Sequence, residues 1–104
     1  MKRPVKIKNI IRISNEAVRT GHLIYSHHAN ERMKERGILK PEVEFILSSG
    51  HHEKKKDQFH AEFESWDYAI KGRTLDGRNL RIIIALVMPN VLIVTAIDLE
   101  EEEQ

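Results

Sequence analysis

Apolar residues in the first part of the chain recur at helical spacing. Between residues 5 and 20, Ile7, Ile10, Ile11 and Val18 form a stripe that polar Ser14 interrupts and Gly21 closes. The pattern predicts a helix over residues 5–20, followed by a short extended stretch at Leu23, Ile24 and Tyr25. Ser26 is a good N-cap and Gly37 a stop signal, so a second helix is predicted over residues 27–36. Pro41 suits the first turn of a third helix. Glu42 and Glu44 favour its positive end, and Val43, Ile46 and Leu47 give it an apolar face before Gly50.

The period then changes. Residues 66–72, 79–87 and 91–97 are rich in Ile, Val, Leu, Tyr and Trp, the composition of strands. Asp76-Gly77 reads as a two-residue hairpin turn, and Met88-Pro89-Asn90 as a three-residue one. An edge strand is expected near residues 51–55. Phe59 and Phe63, four apart, suggest one or two helical turns. With these turns Gly72 opposes Arg81, Tyr68 opposes Ala85, and Ile83 opposes Thr95. Trp66, Tyr68, Ile70, Arg81, Ile83, Ile93 and Thr95 then share one face, and Lys71, Arg73, Arg78, Ile82 and Ile84 the other. A one-residue slip would exchange the sets. Helices first and strands after predict an α+β fold, with N-terminal helices packed on a twisted antiparallel sheet of three to four strands.

The length of 104 residues predicts one domain, over residues 1–97, with an acidic tail at 98–104. Without cysteine, disulfides and thiolate metal sites are excluded, and a reducing cytoplasm fits. No apolar run reaches membrane-spanning length, and no apolar stretch follows the basic N-terminus as a secretory signal would require. The net charge of +1 hides an asymmetry, because residues 1–97 hold 17 Lys and Arg against 11 carboxylates. That imbalance points to a polyanion partner such as RNA.

Three groups could carry chemistry. On a helix, His28, Arg32 and Arg36 share one face, a histidine beside two phosphate-binding side chains. Lys54, Lys55 and Lys56 form a run that is either a solvated face or a clamp on an RNA backbone. Trp66 and Tyr68, with Lys71, Arg73 and Arg81, lie where a sheet can stack bases and hold phosphate, or else fill a core with a basic rim. The histidine pairs His27-His28 and His51-His52 lack ligand spacing, so no metal and no cofactor are expected.

The segments SHHANERMKERGI, KKKDQFHAEFESWDYAIKGRTLDGRNLRI and LIVTAI together resemble a bacterial family of domains of unknown function that is distantly similar to the MqsR and RelE toxins, over about Tyr25 to Ile97. The resemblance implies a small α+β mRNA interferase of a toxin–antitoxin module. Such an enzyme cleaves without metal, by attack of the ribose 2′-OH on the adjacent phosphorus. A zinc-finger antitoxin of the YgiT type is the implied partner. It further implies roles for Arg81 and Lys56 as phosphate stabilisers, and for Tyr68 or His28 in proton transfer. Arg32, Arg36, Lys54, Lys55, Trp66, Lys71, Arg73 and Thr95 would then contact RNA. The alternative is a non-catalytic RNA- or partner-binding module of the same fold.

Overall fold

The structure, a computed structural model, describes residues 3–102; the end of the expected acidic tail, residues 103–104, lies outside them. The chain runs α1 (Ile10–Thr20), β1 (Leu23–Tyr25), α2 (His27–Arg36), α3 (Lys40–Ser49), β2 (His51–His52), a 3-10 turn (Lys54–Lys56), β3 (Gln58–His60), β4 (Ser65–Arg73), β5 (Asn79–Val87), β6 (Asn90–Asp98) and α4 (Leu99–Glu102). The architecture is α+β, with four helices and an open six-stranded sheet ordered β1-β6-β5-β4-β2. β3 pairs with β4 on the same edge as β2, nearer the start of β4, and every pairing is antiparallel except β1 with β6. The strand count exceeds the expected three to four because β1, β2 and β3 hold only two or three residues each. Such short edges carry little periodicity. No described helix is long and apolar enough to cross a membrane.

The helices follow their punctuation. The Ser26 hydroxyl accepts the Ala29 N–H at 3.0 Å to cap α2, and Gly37 ends that helix at φ +63°. α1 begins at Ile10, later than the expected residue 5. The residues before it instead lie along β4, where the Ile7 N–H donates to the Tyr68 hydroxyl at 2.9 Å and Trp66 Nε1 donates to the Pro4 carbonyl at 2.8 Å. Ser14, the break in the apolar stripe, is fully buried, its hydroxyl 2.9 Å from the Leu47 carbonyl at the end of α3. α3 packs on β4 and β5, α1 on α3, and α2 against β6. Their apolar faces meet Ile70, Leu80, Ile82, Ile84, Val91 and Ile93, all without exposure.

The β4–β5 register differs from the expected one by a single residue. Lys71, not Gly72, faces Arg81, and Tyr68 faces Ile84. The loop contains Leu75, Asp76 and Gly77. Gly77 N–H closes on the Thr74 carbonyl at 3.0 Å, and Thr74 N–H bonds the Arg78 carbonyl at 2.8 Å. Gly77 sits at φ +89°. This is a turn followed by a left-handed glycine bulge, which takes one more loop residue than the two-residue hairpin. The slip moves Tyr68 and Ile70 to the helix-covered face with Ile82 and Ile84, and Lys71 to the opposite face with Arg81 and Ile83. A bulge between Ile83 and Ile84 then separates Ile93 from Thr95, since Ile84 pairs with Ile93 while Ile83 pairs with Thr95. The β5–β6 turn also tightens, with Val87 facing Asn90 across Met88 and Pro89. Phe59 lies on β3 and not in a helical turn. It faces Trp66, ring centroids 5.4 Å apart, where the helical reading paired it with Phe63.

Candidate active site on the open sheet face

The face away from α3 bears a cleft of ≈ 440 Å³, lined by Lys56, Gln58, His60, Asp67, Arg81, Ile83, Val94, Thr95 and Ile97. Each lining group has a local reason to be there. β3 and β4 form a hairpin in which Gln58 faces Asp67 and His60 faces Ser65. His60 and Asp67 are therefore diagonal neighbours across the strands, within reach of long side chains. His60 Nε2 lies 2.6 Å from Asp67 Oδ2. The Asp67 side chain is nearly buried, whereas that of His60 is 45% exposed, so the carboxylate anchors an imidazole that opens onto the cleft.

The second wall is cationic. Arg81 projects from β5 and is held by Glu53, with Nε to Oε1 at 2.6 Å and an outer guanidinium nitrogen to Oε2 at 3.2 Å. This two-point contact fixes the guanidinium plane, and both side chains are largely shielded from solvent. The Arg81 hydrogen bond outweighs burial and, helped by the fields of Lys71 and Lys56, holds the Glu53 carboxyl below its ordinary range. The 3-10 turn brings Lys56 to the same cleft. That turn is fixed by Asp57, whose Oδ1 accepts the Ala69 N–H at 2.9 Å. Asp57 Oδ2 meets His52 Nε2 at 2.8 Å and Lys6 Nζ at 2.7 Å.

The structure thus brings Lys56, Arg81 and Thr95 together, with Lys71 facing Arg81 on the same side of the sheet. Arg73 lies farther along β4, its guanidinium beside Gly77, and Lys54 and Lys55 are exposed on the turn. The other expected positions do not join the cleft. Tyr68 is 3% exposed on the helix-covered face, its hydroxyl receiving the Ile7 N–H and its ring edge-on to His52. Trp66 lies on that side too, beneath Lys6 and Arg3, whose cationic groups sit 5.0 and 5.7 Å from its ring centre. His28 is exposed on α2. On the same helix Arg32 pairs with Glu35, and Arg36 donates to the Ala96 carbonyl at 2.6 Å. All three residues lie on α2, but none of them lines the cleft.

His60 and Asp67 are the residues that sequence reasoning passed over. A histidine seven positions before an aspartate becomes a pair only when the chain reverses between them, at residues 61–64. Among the described residues, no group of three or more His, Asp or Glu side chains is arranged to hold a metal ion.

Comparison with known proteins adds one relationship. No curated protein and no solved structure matches the chain significantly. Residues 25–98 match the model of a family described as a domain of unknown function, DUF4258. The matched span runs from the last residue of β1 to the end of β6 and contains every residue of the cleft, while α1 and the segment before it lie outside. The chain belongs to the DUF4258 family.

Proposed function

We propose that the chain is a metal-independent endoribonuclease of the toxin type, restrained in its host by a partner protein, and that the open sheet face is its active site. The observation behind this reading is the Asp67-anchored imidazole of His60 sharing one cleft with Lys56 and Arg81. The family match carries no activity with it, so the reading rests on this geometry.

Attack by a ribose 2′-OH needs a base at the hydroxyl, positive charge at the phosphorus and a proton for the departing oxygen. With Nε2 turned to Asp67, His60 presents Nδ1 as the base, and the carboxylate stabilises the imidazolium that forms. The 2′-oxygen–phosphorus bond forms as the phosphorus–5′-oxygen bond breaks. Arg81, fixed by Glu53, and Lys56 face the charge that develops on the phosphoryl oxygens. The Lys56 ammonium gives its proton to the leaving 5′-oxygen. The products are a 2′,3′-cyclic phosphate and a 5′-hydroxyl end. Ile83, Val94 and Ile97 supply an apolar floor against which a base can rest, and Thr95 a hydroxyl that can meet the phosphate or ribose.

The test is cleavage of an end-labelled RNA by the purified chain in EDTA, with and without ribosomes, beside a 2′-deoxy substrate. Cleavage is expected to survive EDTA and to stop with the 2′-deoxy RNA. His60→Ala and Arg81→Ala should each lower the rate by about 10²–10⁴-fold, and His28→Ala should leave it unchanged. RNA retention without cleavage in every arm would refute the enzyme and leave a binding module.

A further inference from the structure

Residues 53–57 supply Lys56 to the cleft and, through Glu53, hold Arg81 there. They grip β4 at one residue. The Glu53 N–H donates to the Ala69 carbonyl at 2.8 Å, and Asp57 Oδ1 accepts the Ala69 N–H at 2.9 Å. Within the segment, the Lys56 N–H donates to the Glu53 carbonyl at 2.9 Å and the Asp57 N–H to that of Lys54 at 3.2 Å. None of residues 53–57 belongs to the hydrophobic core. Polar contacts therefore decide where the turn sits, and Asp57 is their centre.

The Asp57 side chain has no exposure, and a carboxylate taken out of water must be met by donors and by opposite charge. The Ala69 N–H, His52 Nε2 at 2.8 Å and Lys6 Nζ at 2.7 Å all reach it. His52 Nδ1 is buried without a hydrogen-bond partner. A proton on that nitrogen would have no acceptor, so the imidazole serves Asp57 as a neutral donor through Nε2. The positive charge beside the carboxylate therefore comes from Lys6. The segment before α1 is anchored on either side of this lysine, by Trp66 Nε1 on the Pro4 carbonyl and by the Ile7 N–H on the Tyr68 hydroxyl. The Lys6 ammonium also lies 5.0 Å from the Trp66 ring centre and 3.5 Å from the Lys54 carbonyl, so it meets the backbone of the turn as well as its carboxylate. We infer that Lys6 is a positioning residue for the cleft: by neutralising Asp57 it fixes the lysine turn, and with it Lys56, for the reaction. Lys56 acts chemically only on the nuclease reading above, on which this role rests; the brace itself rests on the Asp57 cluster. Lys6 precedes the matched residues 25–98, so the brace lies partly outside the domain that the family model describes.

The test compares Lys6→Met, which keeps an apolar stem against Trp66 but drops the charge, with Lys6→Arg. A third variant, Lys8→Met, removes the same charge from an exposed position on the same segment. NMR relaxation of the ¹⁵N-labelled chain reads the brace. In Lys6→Met the backbone order parameters of Lys54–Lys56 should fall from about 0.85 to below about 0.6, while β4 and β5 keep theirs. RNA cleavage reads the consequence. For Lys6→Met kcat should fall by about ten- to a hundredfold with KM within about threefold of wild type. Lys6→Arg and Lys8→Met should match the wild type in both readouts. In an Asp57→Asn background Lys6→Met should add no further loss, because the two act through one contact. An ordered turn in Lys6→Met, an equal loss of kcat in Lys8→Met, or losses that add in full with Asp57→Asn would overturn the role. RNA left uncut by the wild-type chain would sink the nuclease reading, and the order parameters would still decide whether Lys6 holds the turn.

Discussion

Arg78→Ala tests how the helical layer is tied to the sheet. From the residue before β5 the guanidinium reaches back to the end of α2, donating to the carbonyls of Arg36 at 2.8 Å and Gly37 at 2.9 Å. It also donates to Asp98 Oδ2 at 3.0 Å, with Glu42 Oε1 at 3.4 Å. One side chain thus serves the negative end of a helix and two carboxylates from different elements. Truncation leaves two helix-terminal carbonyls and the Asp98 carboxylate, itself only 10% exposed, without that donor. Breaking a buried ion pair costs roughly 3–5 kcal/mol. The Arg78 side chain is 23% exposed, so water recovers part of the loss and about 3 kcal/mol is expected. At roughly 4–8 °C per kcal/mol for a domain of this size, the midpoint of a circular-dichroism melt at pH 7 should fall by about 12–24 °C. Arg78→Lys keeps the charge but not the fork, and should recover part of the loss.

The pH dependence provides the second readout. Burial pushes the Asp98 carboxyl up, but the Arg78 hydrogen bond and the backbone N–H groups of Glu100 and Glu101 outweigh it, so the group sits below its ordinary 3.8. A folded value below the unfolded one gives stability that is complete above the ordinary value and lost as pH falls through the folded value. The gap between wild type and Arg78→Ala should therefore be flat from pH 7 to about pH 5 and narrow below about pH 4. A variant melting within about 4 °C of wild type, or a gap that widens in acid, would refute the argument.

Gly50→Ala places a methyl 2.6 Å from the Ile46 carbonyl and 2.7 Å from that of Lys71; backbone must move, and a loss of about 2–3 kcal/mol is expected by urea denaturation. Ile82→Ala, at a fully buried position, should cost about 2–5 kcal/mol, whereas Ile83→Ala, facing the cleft, should cost about 1 kcal/mol or less; the reverse order would support the other strand register. If Arg81 binds RNA phosphate as proposed, with its plane fixed by Glu53, Glu53→Gln, which keeps only one oxygen to hold the guanidinium, should weaken RNA retention at low salt by about three- to tenfold, measured by fluorescence anisotropy; unchanged or tighter retention would count against that role.

The sequence made the sheet visible and its register nearly so. α2 and α3 announced themselves because Ser26, Gly37, Pro41 and Gly50 each have one strong local meaning. Asp76-Gly77 was ambiguous in a way that matters: the same dipeptide serves a two-residue turn and a three-residue loop with a glycine bulge, and the choice exchanges the faces of β4. Arg81 and Thr95 fall on one face as expected because the β5–β6 pairing of Arg81 with Ile97 and Ile83 with Thr95 is legible, while the bulge beyond Ile83 leaves no mark in composition. Ser14 shows the limit of periodicity: a buried hydroxyl that donates to a helix-terminal carbonyl reads as a solvent position. His60 and Asp67 were hidden for another reason. Their approach depends on three-residue β3 pairing with β4, and a strand that short is specified by tertiary contact more than by its own pattern.

The lysine turn has a consequence beyond any ligand. β4 is nine residues long, and one of its sides would offer a continuous row of backbone donors and acceptors to any passing strand. β3 covers that side at Ser65–Asp67 and β2 at Ile70 and Lys71. Between them the chain leaves the sheet at Lys54–Lys56, and the Asp57 carboxylate takes the Ala69 N–H that a foreign strand would otherwise seek. Three exposed ammonium groups then stand where that strand would have to lie. The outermost strands are two and three residues long, too short to template an added strand. The same lysines that the proposed function would set toward RNA thus guard the sheet against pairing with its own kind, which favours a chain that stays dispersed at high concentration.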